Sequence, residues 1–204
     1  KGSSSVLYGS GAMNGVIHVR TGWGTEKPET QFRIYQGIYN NPRVEEARWW
    51  DKTSSPIFTG AFFSHRQKVK NFDIVAGAHA SSDYTYLQKG HRQAVRANIK
   101  TRYRDQKVKG LSYGLNGSGQ YQQSGRFVLW TNNTDGAYRP LDGTSSTDKY
   151  MFVNVDPWIQ YSGENVGLHS LKGRYYRVER RNGDWEDPSA SNVMFFDYRF
   201  QNNF

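Results

Sequence analysis

Apolar and polar residues alternate along this chain with a period of two, in one segment after another. The run Val95-Arg96-Ala97-Asn98-Ile99-Lys100-Thr101-Arg102-Tyr103 is the clearest. On a strand, successive side chains point to opposite faces, so Arg96, Asn98, Lys100 and Arg102 share one face while Val95, Ala97, Ile99 and Tyr103 share the other. The same pattern predicts a first strand over 31–39, where Phe32, Ile34 and Ile38 oppose Arg33, Tyr35 and Gly37. It predicts a second, aromatic-rich strand over 58–69 and a third in which Phe72, Ile74, Ala76, Ala78 and Ala80 oppose Asp73, Val75, Gly77 and His79. In the fifth, Leu111, Tyr113, Leu115 and Tyr121 oppose Ser112, Gly114, Asn116, Ser118 and Gln120. In the sixth, Met151, Val153, Val155, Ile159 and Tyr161 oppose Asn154, Asp156 and Gln160, with Pro157 implying a bulge or the loss of one ladder bond. A mixed seventh strand covers 166–179, and in the eighth Met194, Phe196, Tyr198 and Phe200 oppose Asp197, Arg199 and Gln201.

The spacers alternate in length. Those at 70–71, 105–110 and 162–165 are short; those at 40–57, 81–93, 123–149 and 180–191 are long. An up-and-down antiparallel barrel in an outer membrane has tight turns at one end and long loops at the other. Strands of about 9–11 residues cross a bilayer when tilted, and the expected strands of nine to thirteen residues suit that span. In lipid every backbone group must be paired, so a β-protein spans only as a closed barrel. A half-exposed soluble sheet gives the same alternation, but the spacer alternation and the charges on one face of nearly every strand favour the membrane.

Composition sharpens the picture. The 204 residues are 36% hydrophobic but 15% aromatic, with 14 Tyr, 11 Phe, 6 Trp and 21 Gly, and so many aromatics exclude a disordered chain. No apolar run approaches the about 20 residues of a membrane helix. Without cysteine there is no disulfide framework, thiolate zinc site or cysteine nucleophile. The chain opens at Lys1-Gly2 without a leader, as expected of a mature product or an internal piece. The net charge of +9 is spread over strand faces and comes with no recognition-helix, zinc-finger or RNP-type signature, so nucleic acid is not an expected partner.

Residues 1–21 differ from the rest, being dense in small residues before a short apolar strand. Gly2, Ser5, Leu7, Tyr8, Gly9, Ala12, Gly15, Val16 and Ile17 stand in the order of the pattern that closes the plug domain of TonB-dependent outer-membrane receptors. The stretch resembles that motif, with Ser3 where the family often has Pro and His18 where it often has Asn. Leu7, Tyr8, Gly9, Ala12 and Gly15 are its core. Arg48-Trp49-Trp50, Phe62-Phe63-Ser64-His65 and Gly90-His91-Arg92 further resemble receptors of this family from Bacteroidota-type bacteria. The resemblance implies an all-β chain in which residues 1–22 end a plug and 23–204 are the first strands and loops of a transmembrane barrel. About eight strands of a barrel of about 22 are then present.

It also implies a cell outer membrane of a Gram-negative bacterium and energy-coupled uptake of a scarce nutrient, whether iron chelate, cobalamin, glycan or peptide. The partners implied are the rest of the receptor, the TonB complex reached through the missing plug, outer-membrane lipid, and an external ligand with or without a surface lipoprotein. The alternative is a self-contained eight-stranded barrel acting as adhesin, anchor or hydrolase, for which the terminal aromatic Phe204 speaks. A soluble β-rich binding module is a third.

No catalytic chemistry is expected. His18, His65, His79, His91 and His169 form no metal-binding spacing, so no metal or cofactor is anticipated and the chain reads as a non-enzyme. Asp184, Glu186 and Asp187 read as water-facing loop charges rather than protease carboxylates. The run Asn132-Asn133-Thr134-Asp135-Gly136 lacks the carboxylates of a calcium loop and reads as a turn. The candidate ligand-binding residues are Phe127, Trp130, Tyr138 and Arg139 in the long loop 124–149, aromatic and basic among Asn, Asp and Gly. Trp49 and Trp50 read as interfacial anchors or loop packing. Arg96, Asn98, Lys100, Arg102 and Asn116 are expected to face the lumen.

Overall fold

A computed structural model describes residues 22–164, 166–183 and 188–202. The plug-like residues Leu7, Tyr8, Gly9, Ala12 and Gly15 lie outside them, as do Asp184, Glu186 and Asp187. All eight expected strands form: β1 (Glu29–Ile38), β2 (Ile57–Val69), β3 (Phe72–Asp83), β4 (Arg92–Arg104), β5 (Leu111–Phe127), β6 (Ser145–Gly163), β7 (Gly167–Asn182) and β8 (Ser189–Gln201). They make one antiparallel sheet in sequence order. The sheet is open: among the described residues β1 pairs only with β2, and β8 only with β7. It does not close into the eight-stranded barrel of the alternative reading. The connections at 39–56, 84–91 and 128–144 and the end of β7 lie at one end, and those at 70–71 and 105–110 and the start of β7 at the other.

The strands outrun the alternation that announced them. β5, β6 and β7 span 17, 19 and 16 residues, because the ladder continues through polar residues past the last apolar one. Arg126 pairs with Ser146 and Phe127 with Ser145. The expected loop 124–149 is thus shortened to 128–144, and 39–56 becomes marginally the longest connection.

Opposed residues of neighbouring strands share a face, so the register sorts the side chains. One row runs Arg33, Phe62, His79, Arg96, Gln120 and Phe152 across β1 to β6; another runs Arg66, Val75, Lys100, Asn116 and Asp156 across β2 to β6. Arg96, Asn98, Lys100, Arg102 and Asn116 therefore share this polar face. The opposite face is apolar and uncovered: Phe32 and Ile34 are each 67% exposed, Met194 73% and Phe196 80%. Among the described residues the buried hydrophobic side chains are Ala47 and Ala137, both in long connections. The sheet has no core of its own.

The apolar band follows the rows only in the middle of the sheet. On β1 it runs from Phe32 to Ile38, and on β8 from Met194 to Phe200. Phe32 shares its row with Phe63, Ala78, Ala97, Gly119, Val153, Arg177 and Asn192. The band on β8 begins only two residues beyond Asn192, toward the short connections, and ends eight beyond it. Between these outer strands the border toward the long connections keeps one row, through Ala80, Val95, Tyr121 and Met151. The band is thus offset on the outer strands and level across β3 to β6.

Buried carboxylates bind the polar face together. Asp73, fully buried, accepts from Arg102 Nε at 2.6 Å and Arg104 Nη2 at 2.7 Å. Asp148 takes Arg126 at 2.8 Å and Arg180 at 3.2 Å. Pro157 causes no bulge: the register between β6 and β7 is the same on either side, and the ladder simply skips Asp156 and Pro157. Arg174 spans that gap with a two-pronged bond to Asp156, at 2.8 and 2.6 Å. A matching break between β4 and β5 is filled by Thr101 Oγ1, which accepts from Leu115 N–H at 3.0 Å and donates to its carbonyl at 3.1 Å.

Residues 22–28 run beside β2 near the short connections and send the Trp23 ring over the polar face. Thr25 carbonyl accepts from Lys68 N–H at 2.8 Å, and the Trp23 ring carries Lys100 Nζ at 3.7 Å and Arg102 at 4.1 Å, with Trp158 beside it at 5.8 Å. Gly24 is required here, since a Cβ would sit 2.1 Å from Gln67 carbonyl oxygen.

Gly114 is equally constrained, its Cβ position being 2.1 Å from Thr101 carbonyl oxygen, whereas at Gly119 the nearest atom is 3.5 Å away. Gly114→Ala should cost about 1–3 kcal/mol, the usual range for overpacking, while Gly119→Ala is neutral or stabilising. Urea midpoints of the two variants check this; equal midpoints would contradict the close β4–β5 approach.

Candidate functional site

Three long connections converge at one end of the sheet. Tyr39, just past β1, packs edge-on against Phe58 at 5.7 Å and Tyr86 at 5.8 Å. Tyr86 in turn meets Tyr138 at 5.3 Å, and Tyr138 meets Trp130 at 5.1 Å. Ring pairs in such tilted geometry add about 0.5–1.5 kcal/mol each beyond area burial, so the chain of rings ties 84–91 to 128–144. Polar bonds run alongside. Gln88 N–H donates to Tyr138 carbonyl at 2.9 Å, Trp49 Nε1 to Tyr86 carbonyl at 2.6 Å and Arg139 Nη2 to Arg48 carbonyl at 3.4 Å. The Tyr39 hydroxyl donates to both Asp83 oxygens, and burial first, the Asp83 carboxylate second, raise its pKa.

Within 128–144 the chain folds back on itself. Trp130 and Pro140 form a bridge, flanked by Thr131 N–H to Arg139 carbonyl and Leu141 N–H to Leu129 carbonyl, both 3.0 Å. The tip is a turn, as its sequence implied: Asn132 Oδ1 accepts from Thr134 N–H and Gly136 N–H at 2.8 Å each, the local bond that lets Asn direct turns. The Asn132 amide also holds the Asp135 carboxyl below its ordinary pKa. Tyr138 has a positive φ of 64°, uncommon for a bulky residue; this conformation lets its ring reach both Trp130 and Tyr86.

Of the four candidate ligand residues the structure unites Trp130, Tyr138 and Arg139. Phe127 is separate: it ends β5, opposite Ser145 and on the apolar face. Trp130 is the open member, 46% exposed. Trp49 and Trp50 serve loop packing, ring to ring at 5.6 Å, with Trp50 Nε1 bonded to Asn41 Oδ1. Tyr39 and Tyr86 complete the cluster and were missed, since one sits just past a strand and the other within a connection, where single aromatics carry no pattern. Three described histidines have ordinary partners on the sheet: His65 bonds Thr30, His79 bonds Tyr35 and His169 bonds Tyr198.

A second feature at this end is an open cleft of about 720 Å³ lined by Lys89, His91, Arg126, Ser145, Ser146, Thr147, Asn182 and Gly183. Its hydroxyls and cations suit polar contacts.

If the ring chain couples the connections, Tyr86→Ala should loosen 128–144 about as much as Tyr138→Ala, although it lies outside that segment. Hydrogen exchange at the Thr131 and Leu141 amides should quicken several-fold in both variants, as the loss of one ring pair implies. Protection unchanged by Tyr86→Ala would break the coupling. In comparisons with known proteins, no family model, no curated protein and no solved structure matches this chain.

Proposed function

We propose that this chain is part of a TonB-dependent receptor of a Gram-negative outer membrane: the end of the plug and the first eight strands of a barrel of about 22. As such it takes part in energy-coupled uptake of a scarce nutrient and catalyses no reaction.

The observation that carries the reading is the uncovered apolar band, which has exposed members on all eight strands. On β5 it runs from Leu111 to Tyr121, about 33 Å along the strand; at the tilt of about 35–45° found in outer-membrane barrels this is about 23–27 Å along the membrane normal, beside the expected height of about 25 Å. Phe72, Tyr103, Tyr113, Tyr161, Tyr198 and Phe200 border it at the short-connection end, as an aromatic girdle would. A soluble sheet buries such a face against a second layer. The polar face, with the Trp23 ring laid on it, suits a lumen filled by a plug, and the two open edges suit a sheet continued by further strands.

On this reading the long connections are external and the aromatic cluster is a ligand-capture surface. Trp130 is its exposed anchor, Tyr138 orients it, and Arg139 braces the segment against 39–56. Trp130→Ala in the full-length receptor should weaken ligand binding about fivefold or more at unchanged outer-membrane abundance, whereas unchanged affinity would assign the cluster to packing.

The membrane setting is tested by facing. A charge on the lipid side near the midplane costs about 2–4 kcal/mol, so Ile99→Arg should deplete the assembled, heat-modifiable receptor while Asn98→Arg is tolerated. Equal damage from both, or folding of the protein without detergent, would overturn the proposal.

A further inference from the structure

The apolar face ends differently on different strands. Toward the long connections the first positions past the band are uncharged on β3, β4 and β5: Ser82, Gln93 and Gln123. On β6 and β7 they are Lys149, Arg177, Glu179 and Arg181. The register sets these together, Lys149 opposite Arg181, Met151 opposite Glu179 and Val153 opposite Arg177. Glu179 accepts from Arg177 at 3.3 Å and from Arg181 at 3.2 Å, so one carboxylate serves two guanidinium groups. Among the described residues no carboxylate lies in ion-pair range of Lys149. Three cations against one anion leave a positive patch on the face that is otherwise apolar, beside a groove of about 350 Å³ lined by Tyr121, Tyr150 and Met151 as well as Lys149, Glu179 and Arg181.

We infer that Lys149, Arg177 and Arg181 bind the phosphate of a lipid headgroup whose acyl chains lie on the apolar band below. The inference rests on the membrane reading. Surplus charge is costly on a lipid-facing surface, and near the interface that cost falls to about 0–1 kcal/mol. This patch lies just past the border, where an anionic headgroup would meet it. Arginine forks match phosphate oxygens in paired bonds, and Lys149 adds a point charge. Glu179 holds the two arginines side by side while cancelling part of their charge. Tyr121 and Met151, on the same face, offer apolar contact to the first carbons of the chains. Confinement to β6 and β7 makes this a site for one lipid rather than a general attraction around a rim.

The test uses the full-length receptor in neutral detergent, titrated with phosphatidic acid, with diacylglycerol as the phosphate-free control and inorganic phosphate as the chain-free one. Bound lipid is read by native mass spectrometry, and heat-modifiable migration reports assembly. Each cation near a membrane surface is worth about fivefold in anionic-lipid affinity. Arg181→Gln should therefore weaken phosphatidic acid binding about fivefold, and the triple variant Lys149→Gln, Arg177→Gln, Arg181→Gln more than tenfold. Glu179→Gln should strengthen it, a change of sign that loss of folding cannot produce. Diacylglycerol should bind weakly and alike in all variants. Unchanged phosphatidic acid affinity in Arg181→Gln and the triple variant, weakening by Glu179→Gln, or competition by equimolar inorganic phosphate would overturn the inference. Each of these outcomes leaves intact the facing contrast between Ile99→Arg and Asn98→Arg, whose failure alone would count against the membrane reading.

Discussion

The structure depends on one unbalanced constraint: every strand of the sheet carries an apolar face that nothing in the described chain covers. Exposed side chains such as Phe32, Ile34, Met194 and Phe196 form a continuous surface far larger than a water-soluble monomer tolerates. Hydrogen bonds between strands hold the sheet in register but do not remove that surface from water. Stability has to come from whatever covers that face, and on the receptor reading the cover is the hydrocarbon of a bilayer.

The polar face answers the opposite problem. It is crowded with arginines, and like charges opposite one another on a sheet are destabilising. Asp73 and Asp148 each sit between two of them, and Asp156 takes Arg174. Buried carboxylates are costly unless fully paired. Here the pairing does double service, since the Asp156–Arg174 fork bridges the strands where Pro157 interrupts the ladder. Trp23 works in the same sense, laying its ring beside Lys100 and Arg102. What the face lacks in apolar packing it recovers in a network spanning five strands.

Much of this was legible in the sequence because period-two alternation is a local signal. All eight strands, both faces, the alternation of connection lengths and the Asn132 turn follow from residues within a dozen positions of one another. The misses are non-local. The extension of β5 and β6 through Arg126, Phe127, Ser145 and Ser146 depends on two polar stretches finding each other across a loop, and neither alternates by itself. Phe127 was therefore assigned to a loop it does not belong to. Asp73 meets Arg102 and Arg104 only through the β3–β4 register, and Tyr86 meets Tyr138 only because two connections leave the sheet at the same end. The offset of the apolar band between β1 and β8 is likewise invisible until strands are aligned.

The segment before β1 bears on the proposed barrel. In an eight-stranded barrel the interior is just wide enough for its own side chains. Trp23 already occupies the polar face, its ring over Lys100 and Arg102 and beside Trp158. Gly24 lies against Gln67 where no side chain fits, and Thr25 bonds Lys68, so the segment is fixed along β2 while its ring reaches over the face. On the receptor reading, more strands widen the lumen roughly in proportion to their number, which leaves room for this ring and for a plug, and the two open edges suit a sheet continued by further strands.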